Sequence, residues 1–496
     1  MHHGLDVQLG MSLSPTHMDL DARAPISRRD PTTFTSRIVV GIVLAAVTTV
    51  GFTALLIGRL FEDKRIGDPA SAASIGPWEF LVSQERPPEA VVLASLAAIV
   101  FVAICAVGFE SIGALLSISP IRRSLSALRE IPPLDPGRPL RVTVLVPAHN
   151  EEHSLPNTLA ALARQARKPD RVIVIADNCT DRTAQIAAEM GHEAFETVGN
   201  VHKKGGALNQ ALNMLLPLTD PGDAILVMDA DTSLDPRFIE VAAARLISDP
   251  ELAAVGGIFH GEPGHGLIGQ FQRNEYARYS TQIGARRGRV FVLTGTATMF
   301  RASALMDVAA ARGLFIPGEP GKVYDTAALT EDNELTLALK SLGATMMSPS
   351  ECAVVTELMP TWRNLWKQRQ RWQRGALENL GAYGVTRATI RYWGQQVGIG
   401  YGTVALNAAL ILMLLTALAI DQWIWFPFWT TVGLIFLVER VVTAWRTGWR
   451  GRLLAGTLIP ELAYDVFLQA VFISCLVDIS LNRQARWGHV QHGSAR

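Results

Sequence analysis

Cysteine is scarce in this chain, and so is charge. Its 496 residues hold four cysteines, Cys105, Cys179, Cys352 and Cys475, scattered without a C-x-x-C pair. That argues against a disulfide framework or a cysteine-built zinc site and fits a reducing compartment. Charged residues make up only 18% of the chain against 49% hydrophobic, with a mean hydropathy of +0.22. Such a balance is too apolar for an ordinary soluble protein and predicts membrane spans beside a globular part. Neither sign of charge is in excess, with 45 Lys+Arg and 45 Asp+Glu, so no global nucleic-acid footprint exists. No internal repeat is visible.

What is abundant is apolar sequence in long runs. Residues 1–36 are polar and predicted disordered. From Arg37 to Arg59 no charge interrupts the chain, which reaches the ~20 residues a bilayer helix needs and reads as an anchor rather than a signal peptide. A second run covers 90–109, and the segment 37–120 is expected to hold two spans. Apolar runs return at 397–420, 423–445 and 453–480, and about three spans are expected over 395–482, before a short tail at 483–496. The last run contains Pro460, Glu461, Asp465 and Asp478, acids that either serve function or face a bundle interior. Arg122, Arg123 and Arg129 after the second run place the region that follows on the cytosolic side.

Between the runs, the stretch 138–358 changes character. "VTVLVP", "RVIVIAD" and "AILVMDAD" are short apolar strands that end in polar residues and alternate with helical stretches, which predicts parallel strands with crossover helices. Ligands in open α/β sheets bind beyond the carboxyl ends of the strands. Asn150, Glu151, Asp177, Asn178, Asp229 and Asp231 are expected to converge on one such edge. Asp229 and Asp231 suit a hard divalent cation shared with a diphosphate, or else form a polar turn after a buried strand. "HKKGGALNQALN" sets Lys203 and Lys204 before paired glycines and a helix, a phosphate-binding arrangement or a solvated basic turn. "GHGLIG" at 264–269 matches a dinucleotide fingerprint, but it lacks the tight strand–turn–helix context and the later acid, so NAD binding is rejected.

Two further segments carry chemistry. In "LTEDNELTLALK", Thr330 is a favoured N-cap and Glu331 and Asp332 complement a helix N-terminus, yet either acid also suits proton transfer. In "WRNLWKQRQRWQRGALENL", Trp362, Leu365 and Trp366 share a face while Arg363, Lys367, Arg369, Arg371 and Arg374 crowd the rest. That pattern describes an interfacial amphipathic helix, expected within 359–394. Gln368, Arg371 and Trp372 also form Q-x-x-R-W, where an Arg fork can clamp phosphate and an indole can stack under a sugar.

In this order, "PAHNE", "ADNCTD", "KGGALN", "DADT", "TGTATMFR", "TED" and "QRQRW" resemble the family 2 glycosyltransferases. The likeness is strongest to membrane-embedded synthases of the cellulose, chitin, hyaluronan and poly-N-acetylglucosamine type, and it covers roughly 142–375. It implies an α/β GT-A-type, Rossmann-like cytosolic domain flanked by transmembrane helices, in a multi-pass plasma-membrane protein. It further implies an inverting transfer from a nucleotide-diphosphate sugar, most often a UDP-sugar such as UDP-N-acetylglucosamine, to a hydroxyl of a growing polysaccharide. Asn150, Glu151, Asp177, Lys204, Asp229 and Asp231 would then bind the nucleotide sugar, and Asp229 and Asp231 would hold Mg²⁺ or Mn²⁺. Asp332 would be the general base with Glu331 in support, and Gln368, Arg371 and Trp372 would hold the diphosphate and acceptor. Cys179 stands where many relatives show serine. Two alternatives remain: single-sugar transfer to a lipid or cell-surface glycan, and a membrane protein that binds or transports nucleotide sugars without turnover.

Overall fold

The computed structural model describes residues 71–75, 78–82, 138–285, 288–419, 424–425 and 427–483. The polar tail at 1–36, the apolar runs at 37–59 and 90–109, and residues 484–496 lie outside the described residues. Strands β1 (Ser71–Ile75) and β2 (Trp78–Val82) form an antiparallel hairpin. The globular region then runs through β3 (Val142–Ala148), β4 (Arg171–Ala176), β5 (Glu193–Glu196), β6 (Ala224–Met228) and β7 (Ser233–Leu234). It continues with β8 (Leu252–Gly256), β9 (Ile258–Gly261), β10 (Ala297–Arg301), β11 (Thr345–Met347) and β12 (Ala353–Thr356). A last short strand, β13 (Ile424–Trp425), pairs in parallel with β2.

Seven strands make the central sheet, in the order β11-β8-β10-β6-β3-β4-β5. Six share one direction, as the crossover pattern predicts; β10 alone runs antiparallel, wedged between β6 and β8. The continuous apolar runs are explained by burial on both faces. Alternate residues feed two cores. Leu145, Ile173 and Ile225 pack with Leu208, Leu212, Leu335 and Leu339 on one face. Val144, Val174 and Leu226 pack with Leu159, Phe238 and Leu246 on the other. β7, β12 and β9 form a small second sheet.

The helix Glu331–Ser341 is anchored from its middle. Glu334 and Arg312 are both buried and pair through both carboxylate oxygens, Nη2 to Oε2 at 2.8 Å. Arg312 also donates to the carbonyls of Pro317 and Val323, and the Tyr383 hydroxyl donates to Glu334. This network ties the segment after the helix Ala302–Ala311, the Glu331–Ser341 helix and the end of the Trp362–Tyr383 helix into one unit.

Beyond the sheet, the apolar C-terminal sequence folds into the helices Ile390–Ala419, Pro427–Thr443, Gly448–Gly456 and Ile459–Ser480. The run at 453–480 is therefore broken near Leu458, and Pro460 opens the final helix, where its missing N–H costs nothing. Among the described residues, Ile459–Ser480 is the one helix long and apolar enough to cross a membrane, judged by length and composition. Its acids are paired, Glu461 with the globular region and Asp465 with the Pro427–Thr443 helix. Glu461 accepts from Asn274 Nδ2 and Arg278 Nη1, each at 2.9 Å, and Arg440 reaches Asp465 at 2.7 Å. The tryptophan face of the Trp362–Tyr383 helix meets the final helix. Trp362 and Trp366 pack edge-on against Phe467 of the final helix, and Arg369 and Arg374 are buried rather than solvated.

Removing one partner of a buried ion pair leaves an uncompensated charge, which costs about 3–5 kcal/mol. Glu334→Ala is therefore expected to lower stability by about that amount in chemical denaturation, with Arg312 stranded; a loss below about 1 kcal/mol would contradict this role for the pair.

Candidate active site

Because β6, β3 and β4 are adjacent and parallel, their carboxyl ends place Asn150, Glu151, Asp177, Asp229 and Asp231 along one edge, as the sequence pattern predicts. Asn150 sits in the left-handed region (φ 57°), and its Oδ1 accepts from the Thr180 N–H at 2.8 Å. Glu151 accepts from Ser154 Oγ at 3.0 Å. The Cys179 thiol lies below them, 3.5 Å from the Asn150 nitrogen, and burial raises its pKa, so it fills space rather than acting as a nucleophile.

Asp177 is buried, with Oδ1 accepting from Thr197 Oγ1 and Asn200 Nδ2, each at 2.7 Å. Asn200 in turn packs against Gly206 of the helix Lys203–Leu215. A Cβ at Gly206 would stand 2.1 Å from Asn200 Oδ1, so only glycine lets that helix begin beside the Asp177 pocket.

Lys204 points inward and joins three segments. Its Nζ lies 2.6 Å from Asp229 Oδ1, 3.2 Å from Glu331 Oε1 and 3.3 Å from the Gly295 carbonyl oxygen. Burial opposes its charge, but Asp229 and Glu331 outweigh burial and raise its pKa. Gly295, in the loop entering β10, also donates its N–H to Asp332 Oδ2 at 3.0 Å, while Asp332 Oδ1 accepts from the Asn333 N–H at 2.8 Å. The antiparallel β10 makes this possible, since it brings its amino end to the edge where the parallel strands end.

The two acids of the "TED" segment diverge. Burial and then the charge of Glu331 push the Asp332 carboxyl up to about 6, against the pull of Lys204. Glu331 is lowered instead: burial works against its charge, and Lys204, with Arg371 in support, prevails. Neighbouring carboxyls driven apart in this way can take different roles. Thr330 occupies the N-cap position, but its side chain makes no cap hydrogen bond. Its Oγ1 accepts from Asn379 Nδ2 at 3.2 Å, and the threonine packs against Gly375, where a Cβ would come within 2.4 Å of that oxygen. The Trp362–Tyr383 helix thus crosses directly over the start of the Glu331–Ser341 helix. That crossing brings Arg371 close enough to stabilise the Glu331 carboxylate and to lower the pKa of Lys203, although burial is the larger cause for the lysine. Gln368 Oε1 accepts from Arg369 Nη1 at 2.6 Å, and the Arg369 guanidinium lies 4.3 Å from the Trp372 ring centroid.

Among the described residues no cation pairs with Asp231. Burial, then the charges of Asp229, Glu151 and Glu357, raise its carboxyl to about 7, while Thr232 Oγ1 donates to it at 3.1 Å. Among the described residues no three His, Cys, Asp or Glu side chains are assembled as a metal cage. The donors present fit a cation of the Mg²⁺ or Mn²⁺ type, held by Asp231 with Asp229 and completed by phosphate oxygens, because that class is commonly bound through one or two carboxylates plus substrate. Glu357, Gly375 and Asn379 escape the sequence reading, whereas Gly295 lies within the "TGTATMFR" segment. Glu357 alone leaves a signal there, lying just beyond the carboxyl end of β12.

Residues 139–375 match the model of the family described as glycosyltransferase like family 2. Among curated proteins the chain is 30% identical over 246 residues to the probable glycosyltransferase YdaM of Bacillus subtilis, covering 47% of this chain and 55% of that protein. It is 27% identical over 246 residues to a poly-beta-1,6-N-acetyl-D-glucosamine synthase of Staphylococcus aureus, covering 48% and 55%. The chain thus spans about half the length of these relatives, 55% in each case. Among solved structures it is similar to the mannosyltransferase PcManGT of Pyrobaculum calidifontis in complex with GDP-Man and Mn²⁺. That match has a TM-score of 0.48 at 16% identity and covers 77% of this chain and 99% of the other. A second match is S. aureus TarS 1-349 in complex with UDP-GlcNAc, with a TM-score of 0.35 at 15% identity, covering 71% and 95%.

Binding to the folded state alone stabilises it, by about 2.7 kcal/mol at a hundredfold excess over Kd. Mn²⁺ added with UDP is expected to raise the thermal midpoint of the wild type and to lose that effect in Asp231→Asn. Without metal at pH 8 the variant should equal or exceed wild-type stability. Because folding raises the Asp231 pKa from 3.8 to about 7, its carboxyl costs stability progressively as pH rises above about 4, and the full cost is present above about 7. Equal Mn²⁺ shifts in both proteins would remove Asp231 from the metal site.

Proposed function

We propose that this protein is an inverting membrane glycosyltransferase that moves a sugar, N-acetylglucosamine being the first candidate, from its UDP donor to a hydroxyl of a growing polysaccharide. The observation that carries the reading is Asp332. Its carboxyl is pinned by the Gly295 and Asn333 N–H groups, pushed up to about 6, and tied through Glu331 and Lys204 to the Asp229 edge. A general base works best with a pKa near the operating pH and contributes about 10²–10⁴-fold.

In the proposed reaction the acceptor hydroxyl attacks the anomeric carbon as its proton passes to Asp332. The bond between that carbon and the diphosphate oxygen breaks on the opposite face, and the configuration inverts. Asp177, with Asn150 and Glu151 nearby, supplies acceptors for the base and ribose. Lys204 keeps Asp229 oriented, and Arg371 offers a cation to the departing diphosphate. When bound, the divalent cation supplies electrostatic stabilisation of the leaving diphosphate. Gln368 and Trp372 face the acceptor, where an indole suits a sugar ring. The membrane assignment is supported by the apolar composition and by the Ile459–Ser480 helix. The donor class is supported by the poly-N-acetylglucosamine synthase relatives.

Purified protein in detergent with Mn²⁺ is expected to release UDP from one member of a UDP-sugar panel. The rate should rise with pH through about 6, because the base acts only when deprotonated. Asp332→Asn should lower it about 10²-fold or more. Turnover in that variant within about threefold of wild type, or a rate flat between pH 5 and pH 8, would overturn the assignment of the base. Sizing of the product separates polymer synthesis from single addition.

A further inference from the structure

Gln368 and Trp372 do not hold themselves in place. Neighbouring positions on a helix do not face one another, yet a single buried side chain, Arg369, engages both. Its Nη1 donates to Gln368 Oε1 at 2.6 Å, and its guanidinium carbon lies 4.3 Å from the Trp372 ring centroid. The fork is held from behind by Glu275 of the helix Gly266–Ala285, whose Oε2 accepts from Arg369 Nη2 at 2.9 Å. The same oxygen accepts from the Tyr464 hydroxyl of the final helix at 2.6 Å. The Tyr464 ring stacks on Phe271 with centroids 4.8 Å apart and planes 7° apart, which fixes that hydroxyl. Arg369 Nε is buried with no hydrogen-bond acceptor among the described residues, a cost that favours a fork oriented for Gln368 and Trp372 over one optimised for the ion pair.

We propose that Arg369 is a positioning residue for the acceptor side of the site, and that Tyr464 and Glu275 make its orientation depend on the docking of the Ile459–Ser480 helix. The chain of contacts runs from that helix through Tyr464, Glu275 and Arg369 to Gln368 and Trp372. Arginine is required because only a planar fork donates along two edges while presenting its face to an indole. The consequence for acceptor binding rests on the transferase reading above; the positioning of Trp372 does not.

The full chain, labelled with 5-fluorotryptophan and purified in detergent, gives a ¹⁹F resonance for Trp372 that is assigned by its loss in Trp372→Phe. Arg369→Lys keeps the charge and removes the fork. Tyr464→Phe keeps the stacked ring and removes only the hydroxyl. The Trp372 resonance is expected to shift or broaden in both variants, with the other tryptophan signals in place as the measure of intact folding. With UDP-N-acetylglucosamine and a β-1,6-linked N-acetylglucosamine oligosaccharide as probe acceptor, acceptor KM should rise about tenfold in Arg369→Lys, with donor KM within about twofold. An unmoved Trp372 resonance in both variants overturns the proposal. So does a fall in kcat with both KM values unchanged, the pattern of lost active protein. If the wild type releases no UDP, the transferase reading fails, while the resonance still decides the positioning.

Discussion

The ammonium of Lys204 holds the site together. It sits between Asp229 at the end of β6 and Glu331 at the start of a helix more than a hundred residues later in the chain. Without that cation, three half-buried acids would face one another across the sheet edge. With it, Glu331 stays ionised, and its charge helps keep a proton on the neighbouring Asp332 up to about pH 6. One lysine therefore links the donor side to the acceptor side electrostatically.

Geometry supplies what charge alone does not. The antiparallel β10 brings Gly295 to the same edge, where its carbonyl accepts from Lys204 and its N–H donates to Asp332. Gly375 lets the Q-x-x-R-W helix cross at the Thr330 side chain, and Asn379 fastens the crossing to the Thr330 carbonyl at 3.1 Å and to Asn333 Oδ1 at 3.0 Å. Further along, the Arg312–Glu334 pair fixes the helix that presents Asp332. Each of these is a close approach between segments distant in sequence.

That distinction explains what was legible beforehand. The strands ending at Asp177 and Asp229 could be read because burial on both faces forces unbroken apolar runs and their ends must turn polar. Asp332 stood out only through the resemblance carried by the "TED" segment, since an acid at a helix start fits plain capping equally well. The direction of β10 could not, since "TATMFR" carries no mark of antiparallel pairing. Nor could the burial of Arg369 and Arg374, because the same arginines fit a solvated face until the final helix is seen packed against them. The capping role suggested for Thr330 fails for a related reason: Asn379, forty-nine positions away, holds its hydroxyl instead. The acids of the last apolar run make sense only beside Arg278 and Arg440.

The central claim is that Glu331 holds Asp332 near the working pH. The most direct test is the acid limb of the UDP-release rate in Glu331→Gln, which keeps the size of the side chain and removes the charge. Because that charge raises the Asp332 pKa, the limb should move to lower pH than in the wild type. A limb that stays in place, or moves upward, would contradict the account.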